Sequence, residues 1–110
     1  MRRSSDFALV LRSGARARRG AIVVHQHRGP SVDTPPTVGL IVARSVGGSV
    51  VRHRVSRRLR AQLSARLPLL GGGTATVVRA LPEAAHADSA SLGRDLDAAL
   101  RRLAGSAGSP

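Results

Sequence analysis

From Arg44 to Arg60 the chain places six arginines and one histidine, and no acid occurs between Asp33 and Glu83. On an ideal helix, at about 100° per residue, Val51, Val55, Leu59 and Leu63 share one slowly turning stripe. Arg54, Arg57 and Arg60 then fall on the opposite side, with His53 between their rows and Arg58 flanking the stripe. Guanidiniums three residues apart repel one another, so the row costs helix stability unless anions neutralise it. A single-sign face of this kind is suited to binding phosphate. Arg52 points into the apolar sector near Leu59, where a charge must reach out beside its neighbours or meet a partner. Ahead of the helix, Val46-Gly47-Gly48-Ser49 is poor in side chains, and it leaves backbone N–H groups and the helix dipole directed at an incoming anion. The spacing matches neither the P-loop nor the dinucleotide fingerprint.

Other chemistries find little material. The acids are Asp6, Asp33, Glu83, Asp88, Asp95 and Asp97, spread over a cap, loops and one helix face, with none on a predicted core strand. No carboxylate pair is set up for acid–base or metal-assisted hydrolysis, so no catalytic residue is expected. His25 and His27, two apart on one strand face, form half of a metal site without a third ligand, and no metal is assigned. The absence of cysteine excludes a disulfide framework, a thiolate metal site and a cysteine nucleophile.

The elements that position the helix follow from patterning. The chain has 110 residues, of which 42% are hydrophobic, enough for one modest core but not two. Its basic residues are all arginine, 18 against 6 acids, for a net charge of +12. G+C-rich coding DNA also favours arginine over lysine, but it does not explain the net charge. That charge on a foldable body points to a polyanion, and nucleic acid is the commonest one. The apolar runs are too short to span a membrane, and the basic start lacks a signal peptide's apolar stretch. A soluble, cytoplasmic protein without a membrane association is expected.

Ser4-Ser5-Asp6 caps a short helix bearing Phe7, Val10 and Leu11, stopped by Gly14. Residues 15–19 read as a basic connector, 20–28 as a strand, and 29–36, with Pro30, Pro35 and Pro36, as a loop. Val38 to Arg44 is a second strand, able to form an antiparallel hairpin with the first. The long helix runs from Ser49 to Leu67, a third strand from Thr74 to Leu81, and a last helix carries Leu92, Leu96, Leu100 and Leu103. The order α-β-β-α-β-α predicts an α+β sandwich, one domain over residues 1–104 with a disordered tail at 105–110.

The string Val42-Ala43-Arg44-Ser45-Val46-Gly47-Gly48-Ser49-Val50-Val51-Arg52-His53-Arg54-Val55-Ser56-Arg57-Arg58-Leu59-Arg60 resembles the signature of the bacterial ribonuclease P protein component, roughly V-S-K-x-V-G-N-A-V-x-R-N-R-x-K-R-x-x-R. Arg44, Val46, Gly47, Val50, Arg52, Arg54, Arg57 and Arg60 fall on its characteristic positions, Arg44 in place of lysine. Asp6-Phe7-x-x-Val10-x-x-x-Gly14 resembles the family's first helix, and residues 75–82 and 91–103 resemble its last strand and helix. The resemblance implies an α-β-β-β-α-β-α sandwich with a left-handed β-α-β crossover, like a ribosomal-protein domain. It also implies partners: the catalytic RNA of ribonuclease P and precursor tRNA, with no protein partner required. The RNA, with Mg²⁺, would perform the endonucleolytic removal of the 5′ leader, and the protein itself would hold no cofactor.

Carried over by position, the RNA-binding residues would be Arg44, Gly47, Gly48, Arg52, His53, Arg54, Arg57, Arg58 and Arg60, and the leader contacts Phe7, Ile22 and His25. Aromatics suit the leader because any base stacks on them. The chain departs from the pattern at Gly48, His53 and Ser56, where the family has asparagine, asparagine and lysine. Ile22 and His25 stand where relatives often have Phe and Tyr. Before Pro82, Ala80-Leu81 replaces Arg-Lys, and Arg79, one residue earlier, points to the other strand face.

Three other readings use the same helix. A ribosomal-type protein would bind RNA without affecting tRNA processing. A major-groove DNA binder wants Asn or Gln for adenine edges, and this helix offers only Gln62. A membrane-surface helix wants large aromatics where this one has valine and leucine.

Overall fold

Alanine and arginine alternate along residues 15–19, and a strand turns successive side chains to opposite faces. The computed structural model, which describes Val10, residues 14–29 and residues 33–107, makes this segment strand β1 (Ala15–Arg19) and not a connector. Ala17 enters the core while Arg16 and Arg18 stay exposed on the other face. A turn at Gly20-Ala21 leads into β2 (Ile22–Arg28), antiparallel to β1 with Ala17 opposite Val24. The turn is held from outside the sheet, because the Ala21 N–H donates to Oδ2 of Asp95 at 3.1 Å.

The expected hairpin between the 20–28 strand and the next one does not form. The third strand, β3 (Thr37–Ile41), lies parallel to β4 (Thr74–Ala80), and β4 separates it from β2 in the order β1-β2-β4-β3. The tight β1–β2 turn takes one edge of β2 and β4 takes the other, which leaves β3 the far side of β4. β3 ends at Ile41, and Arg44–Val46 is already a 3₁₀ turn. Parallel strands need a crossover, and helix α1 (Ser49–Arg66) supplies it. With the 3₁₀ segments Leu67–Leu69 and Pro82–His86 and the last helix, α2 (Ser89–Ala107), the described order is β-β-β-α-β-α in an α+β sandwich. Helix α2 extends beyond residue 104, so residues 105–107 continue it where a tail was expected. The expected helix at 4–14 lies, except for Val10 and Gly14, outside the described residues.

Both helices cover one sheet face. Val55, Leu59 and Leu63 from α1 and Leu92, Leu96, Ala99 and Leu103 from α2 pack with Ala17, Ile22, Val24, Val78 and Ala80 in one apolar cluster, as the two leucine and valine rows predict. Ile22 is fully enclosed there, which overturns its assignment as a leader contact. The helices cross closely over Gly93, where a Cβ would sit 2.6 Å from Gln62 Oε1. Among the described residues no helix is long and apolar enough to cross a membrane.

A polar seam closes the helix pair. Arg66 donates to both oxygens of Asp97, Nε–Oδ1 at 2.7 Å and Nη2–Oδ2 at 3.0 Å, and its Nη1 donates to Gln62. Those hydrogen bonds, and then the Arg66 charge, hold the Asp97 carboxyl below its ordinary value of 3.8. A depressed folded value means that the stabilisation is complete above about pH 3.8 and disappears as pH falls through the folded value. Arg66→Ala is expected to lower stability by about 1 kcal/mol near neutral pH, a figure already reduced for the solvent around Asp97. Thermal melts of both proteins from pH 7 to pH 2 check this: the gap narrows on acidification, and a gap constant across the range would remove Asp97 from the account.

Candidate nucleic-acid interface

Helix α1 has three faces with different tasks. Its apolar stripe is in the core. One residue earlier in register, Arg54, Arg58, Gln62 and Arg66 form a row at four-residue spacing, and every member reaches the chain between residues 85 and 97. Arg54 Nη2 donates to the Ala85 carbonyl at 3.2 Å and Arg58 Nη1 to the Ala87 carbonyl at 2.8 Å. Gln62 Nε2 donates to Ser89 Oγ at 2.7 Å, and Arg66 meets Asp97 as above. Half of the basic helix is therefore bolted to its own fold.

The third face stays open. His53, Arg57 and Arg60 are exposed, and none of them makes a hydrogen bond or ion pair. Arg44, also exposed, stands on the 3₁₀ turn just before the helix. Gly47 brings that turn against the first helical turn: a Cβ there would meet Val51 Cβ at 2.9 Å. Gly48 is the N-cap without a side-chain cap, and its carbonyl accepts from the Arg52 N–H at 2.9 Å. The first N–H groups of α1 thus face outward at its positive end. Beside them Ser49, Val50, His53, Arg54 and Arg57 line a shallow hollow, and Val50 is 77% exposed.

The structure therefore gathers Gly48, His53, Arg54 and Arg57 at the start of α1, with Arg44 on the approach. Arg60 stands further along, lining a groove with Val38, Leu40 and Leu63 between α1 and β3. Arg58 turns to the Ala87 carbonyl. Arg52 is half-buried, with an enclosed Nε that has no partner. The leader residues are not assembled: Ile22 is in the core, Phe7 lies outside the described residues, and His25 is only 3% exposed on the sheet face turned away from α1 and α2. Burial, then the charges of Arg79 and Arg16, push the His25 imidazole below its ordinary 6.5. Arg16, Arg18 and Arg79 share that sheet face; the sequence shows Arg79 pointing there but assigns none of the three a role, although the Ala-Arg alternation is the signal for the first two. Among the described residues no group of three or more His, Asp or Glu could hold a metal ion.

The fold thus presents a cationic face on a helix that crosses between parallel strands. The pattern that defines the family described as Ribonuclease P matches residues 1–104. The chain belongs to the ribonuclease P protein family. It is 50% identical over 112 aligned positions to the ribonuclease P protein component of Streptomyces bikiniensis, covering 96% of this chain and 91% of the relative. The corresponding protein of Beutenbergia cavernae is 50% identical over 103 positions, covering 94% and 86%. The fold is that of the Staphylococcus aureus RNase P protein, with a TM-score of 0.81 at 18% identity over 93% of this chain and 92% of that one. The Thermotoga maritima RNase P protein superposes with a TM-score of 0.76 at 20% identity over 94% and 93%.

Within this ribonuclease P protein the two kinds of arginine separate by experiment. Arg58→Ala is expected to lower stability by about 1 kcal/mol, because it strands the Ala87 carbonyl. Arg57→Ala should leave stability within about 0.5 kcal/mol. Denaturant unfolding of the two variants checks both, and equal losses would refute the division.

Proposed function

We propose that this chain acts as the protein subunit of ribonuclease P, binding the catalytic RNA and the 5′ leader of precursor tRNA so that the RNA removes the leader. The observation that carries the reading is the open row of α1, where His53, Arg57 and Arg60 stay unpaired while the neighbouring row is fixed to the fold. A helix whose one flank is anchored presents the other on a fixed backbone, so little backbone freedom remains to be lost when RNA docks. Phosphate neutralisation supplies the affinity, and the protein provides no nucleophile. In this reading Mg²⁺ is taken up by the RNA partner. Phe7 remains the proposed stacking residue for the leader.

The direct experiment is cleavage of a precursor tRNA by a bacterial ribonuclease P RNA at low Mg²⁺, with and without this protein, reading the position of the 5′ cut. Rescue of correct cleavage is expected. Tight RNA binding without rescue would turn the reading into a ribosomal-type RNA-binding protein. Arg57→Ala and Arg60→Ala should each weaken binding to the RNA subunit and reduce the slope of log affinity against log salt by about 0.9 on duplex-like RNA. Phe7→Ala should weaken precursor more than mature tRNA, and equal loss for both would count against a leader contact.

A further inference from the structure

The described sheet has two outer strands, β1 and β3, and they are finished differently. An edge strand leaves a row of main-chain N–H and C=O groups unpaired, and proteins guard such a row with charge, proline or a bulge. β1 carries Arg16, Arg18 and Arg19. β3, Thr37-Val38-Gly39-Leu40-Ile41, carries no charge and no proline. It also runs without a bulge along β4, from Thr37 opposite Ala75 to Ile41 opposite Arg79. A strand directs its main-chain groups alternately to its two sides, so β3 uses one set on β4 and turns the other outward. Among the described residues no other element hydrogen-bonds to that outer edge.

Beside the edge lies the groove between α1 and β3, with a volume of about 410 Å³. Val38, Leu40, Leu63 and Leu67 line it together with Arg60 and Ser64, and Leu67 is 42% exposed. Arg60 makes no hydrogen bond or ion pair, and no acid occurs between Asp33 and Glu83, so neither wall supplies it with a carboxylate. Val38 and Leu40 stand two apart and face the groove, so a strand laid beside them sets its own alternate side chains over the same space.

We propose that the outer edge of β3 and this groove receive an extended acidic segment of a partner protein, added to the sheet as a fifth strand. Its main chain pairs with β3, its alternate apolar side chains settle against Leu40, Leu63 and Leu67, and a carboxylate meets Arg60. The outward carbonyls of β3 favour this occupant over RNA. They need donors at strand spacing, which a peptide backbone supplies and a phosphate chain does not, and the aliphatic walls offer no ring on which a base could stack. Charge favours it over a second copy, because pairing β3 with β3 brings together two bodies of net charge +12 with arginine and no acid at the joint. Arg60 also belongs to the open row of α1, so an occupied groove and a docked RNA compete for it.

The test uses the full chain, isotope-labelled for NMR, and the blocked peptide Glu-Val-Glu-Val-Glu-Val-Glu. Binding should shift the amide signals of residues 37–41 and slow hydrogen exchange at those that face outward. Methylating the peptide nitrogens at alternate residues should abolish binding in one phase and leave it in the other, since only one edge of the added strand meets β3. The same peptide with lysine in place of glutamate should not bind. Leu67→Glu should weaken binding at least about tenfold, the contribution of one buried apolar side chain, without lowering the melting temperature or the rescue of precursor cleavage. Leu67→Met should retain binding, which separates the groove from the fold. Binding that ignores both methylation phases is attraction to arginine alone and overturns the proposal, as does a β3 whose signals do not respond. Protection of the β3 amides in a dimer without peptide assigns the edge to a second copy, and protection by ribonuclease P RNA assigns it to RNA; either result overturns the proposal while leaving the subunit role to its own cleavage experiment.

Discussion

Eighteen guanidiniums share the chain with six carboxylates, and the fold is arranged around that shortage. Most of the described acids serve the fold itself. Asp97 holds Arg66, Asp95 accepts the N–H that fixes the β1–β2 turn, Asp88 accepts the Ser91 N–H at the start of α2, and Glu83 meets Arg18. Where carboxylates run out, backbone carbonyls substitute, as Ala85 and Ala87 do for Arg54 and Arg58. A neutral carbonyl satisfies a guanidinium's hydrogen bonds without cancelling its charge. The seam along α1 therefore anchors the helix and still leaves a positive field around its open row.

The anchoring explains how a helix with so many like charges persists. Repulsion between arginines three or four apart costs tenths of a kcal/mol per pair. Three buried aliphatic side chains on the opposing stripe, at roughly 1.5–3 kcal/mol each, outweigh that repulsion. The strain is carried by packing and leaves the open row free to change partners.

The legible parts of the molecule were those with local periodicity. Val55, Leu59 and Leu63, and the leucine row of α2, announce their buried faces because four-residue spacing is a property of the sequence itself. Sheet pairing is not local, and nothing in residues 20–44 states that β4 will come between their two strands. β1 was hidden by its charge, although Ala17 between Arg16 and Arg18 is the period-two pattern of a strand. The seam partners of Arg54 and Arg58 were invisible for another reason: their acceptors are main-chain oxygens, which have no residue type. Ile22 and His25 are the instructive pair. Being three apart on one strand, they had to face opposite sides of the sheet, so parity alone ruled out a shared surface.

That same parity gives the domain two cationic sides. The open row of α1 lies over one sheet face, and Arg16, Arg18 and Arg79 lie on the other. The protein measures 22 Å along its shortest axis, while the screening length at physiological ionic strength is about 8 Å. Anions gathered on the two sides would scarcely repel one another, yet each would lie within one screening length of its own guanidiniums. A body that neutralises one polyanion makes a good cofactor for folding it. Charge spread over both faces of one sheet attracts anions on two sides without setting them against each other, and strand parity, which sends alternate side chains of β1 and β4 to opposite faces, is what spreads it.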